Sequence, residues 1–315
     1  MRVKPFRFLA EARAVANGRE LAETARRAEA HGIDTLVIPD HLVEQLAPIP
    51  AMATIVAATE KLRVAGFVLN NDLRHPAVLA QDLASVDVLS DGRLDVAIGA
   101  GWNRPEYEAI GIPFERAPVR QARLAEAITV LKGCFADRPF SFAGEHYTIA
   151  DHDALPKPIQ RPHPPFLIGG GGRRTMTLAG CQAQIVGLAP RILPNGAGDP
   201  ASVTIAATAE KIAWAREAAG ARADELEFNV YPSMTGISVT DHARREAREL
   251  AERLHERSGV AIAADELLES PHIFIGSVDG LVEKFRRLRN ELGISSIMVG
   301  EVDELAPVVE RLAGS

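Results

Sequence analysis

Four consecutive glycines, Gly169, Gly170, Gly171 and Gly172, lie between the apolar stretch 165–168 and the polar start Arg173-Arg174-Thr175. Backbone amides in a run without Cβ atoms are free to converge on an anion, and a following helix adds its dipole. Arg173 and Arg174 add positive charge. Phosphate binding is the chemistry this spacing predicts, with a plain flexible turn as the alternative. The run is not a Walker loop, because no Gly-Lys-Ser/Thr follows.

Pro39-Asp40-His41 directly follows the apolar run 35–38. An imidazole at such a strand end exchanges protons near neutral pH, and the adjacent Asp40 would orient it or anchor a loop. A helix-capping turn is the other reading. Gly99-Ala100-Gly101-Trp102 follows the run 94–98. Glycines there admit a planar ring to the backbone, and the indole would wall a pocket; a turn with a packing Trp is the plainer account. His146 and Tyr147 either line an entrance or cover the molecule. Glu106 and Glu108 are expected to be solvated, and Arg74-His75-Pro76 to open a helix.

Other chemistries find little support. The nine histidines show no pairing at metal-ligand spacing and the two cysteines lack CxxC partners, so no metal site is expected. Cys134 and Cys181 are expected to be buried reduced thiols. No Gly-x-Ser-x-Gly elbow of a serine hydrolase occurs.

The elements that must position these residues recur as a short apolar run, a turn and an amphipathic helix. Candidate strands fall at 6–9, 35–38, 64–69, 94–98, 165–168, 184–188, 226–231 and 296–299. Helices are expected over 19–31, from about Pro50, over 76–89, up to about Phe135, from Arg173, after Asp199 and over 278–292. Short buried strands alternating with helices imply a parallel sheet, and eight of them close a (β/α)8 TIM barrel. A doubly wound open sheet is the alternative. One polar, Pro-rich segment, 137–165, breaks the cadence; within it 140–149 alternates like a hairpin turning at Ala143-Gly144. It is expected to be an insertion in a single domain spanning 1–315.

Composition agrees with this class. The 315 residues suit a barrel, which needs about 250. At 47% hydrophobic and 24% charged the chain reads as soluble and globular. A net charge of −7 argues against nucleic acid as the main partner. No run approaches the roughly 20 apolar residues of a membrane span. No leader pattern opens the chain, so a cytoplasmic location is expected.

Four segments in this order resemble the luciferase-like monooxygenase superfamily: 28–41, ending in Ile38-Pro39-Asp40-His41; 62–80, with Arg74-His75-Pro76; 90–102, with Ser90-Asp91-Gly92-Arg93 and Gly99-Ala100-Gly101-Trp102; and 165–172. Their wording is most similar to oxidoreductases assigned to the deazaflavin coenzyme F420. The resemblance implies a barrel of the bacterial-luciferase type and a cofactor ring near Asp40, Phe67, Val68 and Gly99 to Gly101. It further implies a phosphate on Gly170, Gly171 and Gly172, Asn70 at the ring's polar edge, and a cis bond at Phe67–Val68. His41 would exchange the proton beside a transferred hydride, with Asp40 steering it, and the partner would be a small organic molecule. Deazaflavin members often pair this His with a Trp and a Glu; here those positions read about Gln45 and near Trp102, a departure from the pattern. An FMN-dependent monooxygenase is the alternative within the family, a cofactor-free ligand carrier the alternative outside it. Homodimers are common among such proteins.

Overall fold

The computed structural model describes residues 4–13, 15–193, 195–233 and 236–315. Its strands are β1 (Arg7–Glu11), β2 (Thr35–Ile38), β3 (Arg63–Gly66), β4 (Leu69–Asn70), β5 (Val96–Gly99), β6 (Phe140–Ala143) and β7 (Thr148–His152). They continue with β8 (Phe166–Gly170), β9 (Ile185–Leu188), β10 (Glu227–Val230), β11 (Ile237–Val239), β12 (Phe274–Gly276) and β13 (Ile294–Glu301). The helices are α1 (Gly18–Ala30), α2 (Pro48–Ala58), α3 (Pro76–Leu89), α4 (Arg104–Ala109), α5 (Ala117–Phe135) and α6 (Arg173–Gln182). After them come α7 (Ile205–Ala219), α8 (Ala243–Ser258), α9 (Ala264–Glu269), α10 (Val278–Leu292) and α11 (Ala306–Leu312). Two compact units share these elements: Met1–Glu11, Arg27–Thr35 and Ile168–Ser315 form the first, Ala12–Arg26 and Leu36–Leu167 the second.

In the second unit β3 lies beside β2, and β4 is parallel to β5 with Asn70 opposite Gly99. The single strand expected over 64–69 is instead two. It stops at Gly66, where a Cβ would lie 2.6 Å from Leu69 Cγ, and resumes at Leu69. The Phe67–Val68 bond between them is cis, at the bond the resemblance pointed to. Helix α3 starts with Pro76 in its first turn, and the His75 ring accepts the Ala77 amide as its cap. The segment 140–149 does form a hairpin: β6 and β7 pair antiparallel, with Phe142 opposite Ile149. Its tip is moored by Glu126 of α5, whose carboxylate accepts the amides of Glu145, His146 and Tyr147. Desolvation alone would raise this carboxyl, but the three amide donors outweigh it and hold it below its usual range.

In the first unit β1, β13, β10, β9 and β8 run in that order, with Phe8 opposite Ile297 and Asn229 opposite Gly187. Helix α10 shows why the sequence folds this way. Ser277 caps its N-terminus through Gly280 N, Gly293 ends it at a φ of 75°, and Leu281, Val282, Phe285 and Leu288 fall on one buried face. Phe285 packs edge-on to Phe274 at 5.0 Å. The stretch 232–277, for which no element was expected, holds α8, α9 and the short parallel pair β11 and β12, closed over Leu250, Leu254, Leu267, Ile273 and Ile275. Cys134 is buried, but Cys181 is exposed. The buried positions of α6 are Thr175, Met176, Ala179 and Gly180, and Cys181 falls beyond that stripe.

Candidate active site

The strand ends of the second unit bring most of the expected site residues together. Asp40 and His41 follow β2, Asn70 ends β4, and Gly99, Ala100 and Gly101 leave β5. Phe67 N donates to Ile38 O at 2.8 Å, and Asn70 N donates to Asp40 Oδ2 at 2.8 Å. Gln45, at the expected Trp position, donates through Nε2 to Pro39 O at 2.6 Å and so ties down the turn that presents Asp40 and His41.

His41 faces Glu106. Its Nδ1 lies 2.9 Å from Oε1 and 3.1 Å from Oε2 of that carboxylate. Glu106 is 7% exposed, which corrects the expectation that it is solvated; Glu108, two residues on, does point outward. The difference follows from α4: a helix of six residues turns Glu106 and Tyr107 inward and Glu108 away. A carboxylate only accepts, so the proton sits on Nδ1 and Nε2 is the nitrogen left for exchange. The indole of Trp102 stands edge-on to the imidazole, with ring centres 5.6 Å apart. A His, a Trp and a Glu are thus assembled even though the sequence positions differ from the family pattern.

Asp40 has other partners. Arg74 holds it bidentately, at 2.6 Å to Oδ2 and 3.0 Å to Oδ1, and the Asn70 amide shares Oδ2. The carboxylate anchors a turn; the group that orients His41 is Glu106. Asn70 uses its Oδ1 for the Tyr107 hydroxyl, at 2.9 Å, and for Asp72 N, at 3.1 Å. The glycines after β5 serve close packing more than a ring. A Cβ on Gly99 would lie 2.8 Å from Val68 Cγ2, and one on Gly101, whose φ is +72°, would fall on the Tyr107 hydroxyl and 2.7 Å from Asn70 Oδ1. Arg120 donates to the Ala100 and Gly101 carbonyls. On the hairpin, the Tyr147 hydroxyl accepts Asn71 Nδ2 at 3.2 Å, and its ring meets His75 edge-on at 5.5 Å.

The glycine run belongs to the first unit and divides into close-packed and open positions. A Cβ on Gly169 would lie 3.3 Å from Gly187 O, on Gly170 2.7 Å from Thr175 Cγ2, and on Gly171 would run into Pro190 O. Gly172 faces open space and caps α6 with no side-chain acceptor and no acidic residue in the first turn. With no side-chain cap, the amides of Arg173 and Arg174 that open this ten-residue helix form the kind of N-terminus that takes an anion. Arg173 reaches outward to Glu217 at 3.5 Å. Behind the run, Lys211 Nζ donates to Ala189 O and Ser202 O at 2.6 Å each, fixing the turn whose Pro190 carbonyl packs on Gly171. Burial pushes that lysine down to about 8.

Among the described residues no cluster of His, Cys, Asp and Glu could hold a metal, and no helix is long and apolar enough to cross a membrane.

A family model described as luciferase-like monooxygenase matches residues 4–296. An FMNH2-dependent dimethylsulfone monooxygenase of Pseudomonas putida is 39% identical over 125 residues, 40% of this chain and 34% of that one. An F420-dependent glucose-6-phosphate dehydrogenase of Kineococcus radiotolerans is 33% identical over 160 residues, 48% of this chain and 47% of that one. The chain thus spans half or less of the length of these two relatives. The solved structure of a coenzyme F420-dependent tetrahydromethanopterin reductase from Methanopyrus kandleri superposes with a TM-score of 0.75, at 18% identity, over 99% of this chain and 98% of that one. That likeness shows the fold, and the fold is the expected (β/α)8 type.

Proposed function

Because the chain belongs to the luciferase-like monooxygenase family, we propose that it is an oxidoreductase moving a hydride between coenzyme F420 and a small organic substrate. The observation that carries this reading is the His41–Glu106 pair, since two-electron reduction of a carbonyl, or oxidation of an alcohol, needs an oriented group that exchanges one proton. The residues present suit the cofactor. In the second unit Phe67 and Val68 are half-buried apolar side chains at the strand ends, apolar surface of the kind a flat ring system covers. Taken by itself, the start of α6 in the first unit is an anion site of the kind a phosphate takes. When bound, the deazaflavin supplies or accepts the hydride.

This chain's own residues do the rest. His41 Nε2 gives a proton to the substrate oxygen in the reducing direction and takes it back in the oxidising one. Glu106 keeps the other proton on Nδ1 and stabilises the imidazolium when it forms. Trp102 stands against the ring that exchanges the proton. Asp40, clamped by Arg74, holds the turn and takes no part in the proton step. On the resemblance alone, the same reading makes the protein a homodimer.

Titration of the purified protein with F420 and with FMN, followed by turnover against panels of alcohols and ketones, tests the proposal. Tight F420 binding with turnover of one panel is expected. A second reading, an FMN-dependent monooxygenase, is favoured by the 39% identity to the Pseudomonas putida protein; binding of FMN and not of F420 would establish it in place of the first.

A further inference from the structure

Glu106 sits on a poor support. Helix α4 has six residues, and its N-cap Asn103 makes no side-chain cap, so the helix has little stability of its own. Something outside it must hold the carboxylate 2.9 Å from His41. The next residue does so. Tyr107 is fully buried, packs edge-on to Phe114 at 5.0 Å, and donates its hydroxyl to Asn70 Oδ1 at 2.9 Å, with Asp72 Oδ2 at 3.2 Å. Asp72 is itself fixed by Arg123 at 2.9 Å. Burial and the Asp72 carboxylate push the phenol up to about 12, so it stays a donor.

Asn70 also reaches the other half of the pair. Its backbone N–H donates to Asp40, the residue before His41, while its side chain takes the hydroxyl of the residue after Glu106. One asparagine thus joins the chain neighbours of both members of the pair. Gly101 makes this possible, because any side chain there would occupy the place of the phenol oxygen.

We infer that Asn70 and Tyr107 are positioning residues that set the His41–Glu106 contact, Asn70 acting as the clamp and Tyr107 as the arm that carries α4. This rests on the acid–base role proposed for His41 only as regards turnover; the contact itself is open to direct observation without cofactor. Asn70 is accordingly assigned to the protein's own framework, where the resemblance implied the cofactor's edge.

The test is the proton NMR spectrum of the cofactor-free protein, in which an Nδ1–H bonded to a carboxylate gives a downfield, exchange-protected signal. Glu106→Gln assigns the signal by abolishing it. Tyr107→Phe removes one oxygen and keeps the packing on Phe114; it is expected to weaken or abolish the same signal. In the loaded enzyme it should lower kcat about 10-fold or more, the scale of a small misplacement of a reacting group, with cofactor Kd within about two-fold. Should Tyr107→Phe fail to fold, Asn70→Ala removes the acceptor and leaves the backbone bond to Asp40. A full signal in either variant, or no such signal in the unaltered protein, overturns the inference. Turnover failing with F420 while the signal behaves as expected would sink the proposed activity and leave the clamp standing.

Discussion

Arg74 grips Asp40 through both carboxylate oxygens, and the side chain of Asp40 is only 3% exposed. That geometry gives the Asp-His dipeptide two separate tasks: the aspartate pins the end of β2, and the histidine is left to a different carboxylate. Asp40→Asn should therefore act on stability. Breaking a buried, bidentate pair costs on the order of 3 kcal/mol, read as a lower denaturation midpoint in urea. A variant as stable as its parent but inactive would return Asp40 to the proton step.

Glu106→Gln should do the reverse. The amide cannot stabilise an imidazolium and can present the wrong hydrogen-bonding group to Nδ1, so turnover should fall by about 10²- to 10⁴-fold with little change in fold or cofactor affinity. His41→Ala should fall in the same range, and the double variant should be little worse than either single change, because the two act as a unit. Additive losses would mean that the pair does not work together.

The glycine run separates binding from packing. Gly172→Asp places a carboxylate in open space at the start of α6 and should weaken phosphate-bearing cofactor binding strongly while the melting temperature holds. Gly171→Asp instead drives its Cβ into the Pro190 carbonyl and should destabilise the fold. Equal melting temperatures for the two variants would contradict the structure of this turn.

Gly101→Ala combines a positive φ with a methyl placed on the Tyr107 hydroxyl. A loss of about 2 kcal/mol or more in chemical denaturation is expected. A neutral change would show that the phenol lies elsewhere.

Lys284 is expected to make stability depend on pH. Its Nζ is buried, donates to Leu268 O and Ile273 O at 2.6 Å each, and is pushed down to about 7 by burial. Between about pH 7 and the unfolded value of 10.5 the unfolded chain holds a proton that the folded one has released, so raising pH favours folding. Urea denaturation from pH 7 to 9 should show this increment, at most about 1.4 kcal/mol per pH unit, and Lys284→Met should lack it. Parallel pH profiles for the two proteins would mean that the amine stays charged in the fold.

Periodicity and punctuation by themselves determined most of the elements. Strands β2 and β9, helix α3 from Pro76 to Leu89 and the hairpin in 140–149 are encoded by local pattern, turn glycines and prolines, which act over a few residues and can be read in order. The same local signals marked His41, Gly101 and the glycine run as residues of consequence, and the family resemblance added Asn70. Their partners were set by tertiary structure alone, since the pairings join residues 65, 37 and 34 positions apart, brought together only when the strands align. Nothing local told Glu106 from Glu108: Tyr107, which turns inward, lies between them and is the chain neighbour of both. Which carboxylate orients His41, and which glycine leaves room for an anion, depend on the direction and spacing of side chains across elements. A linear pattern carries neither quantity.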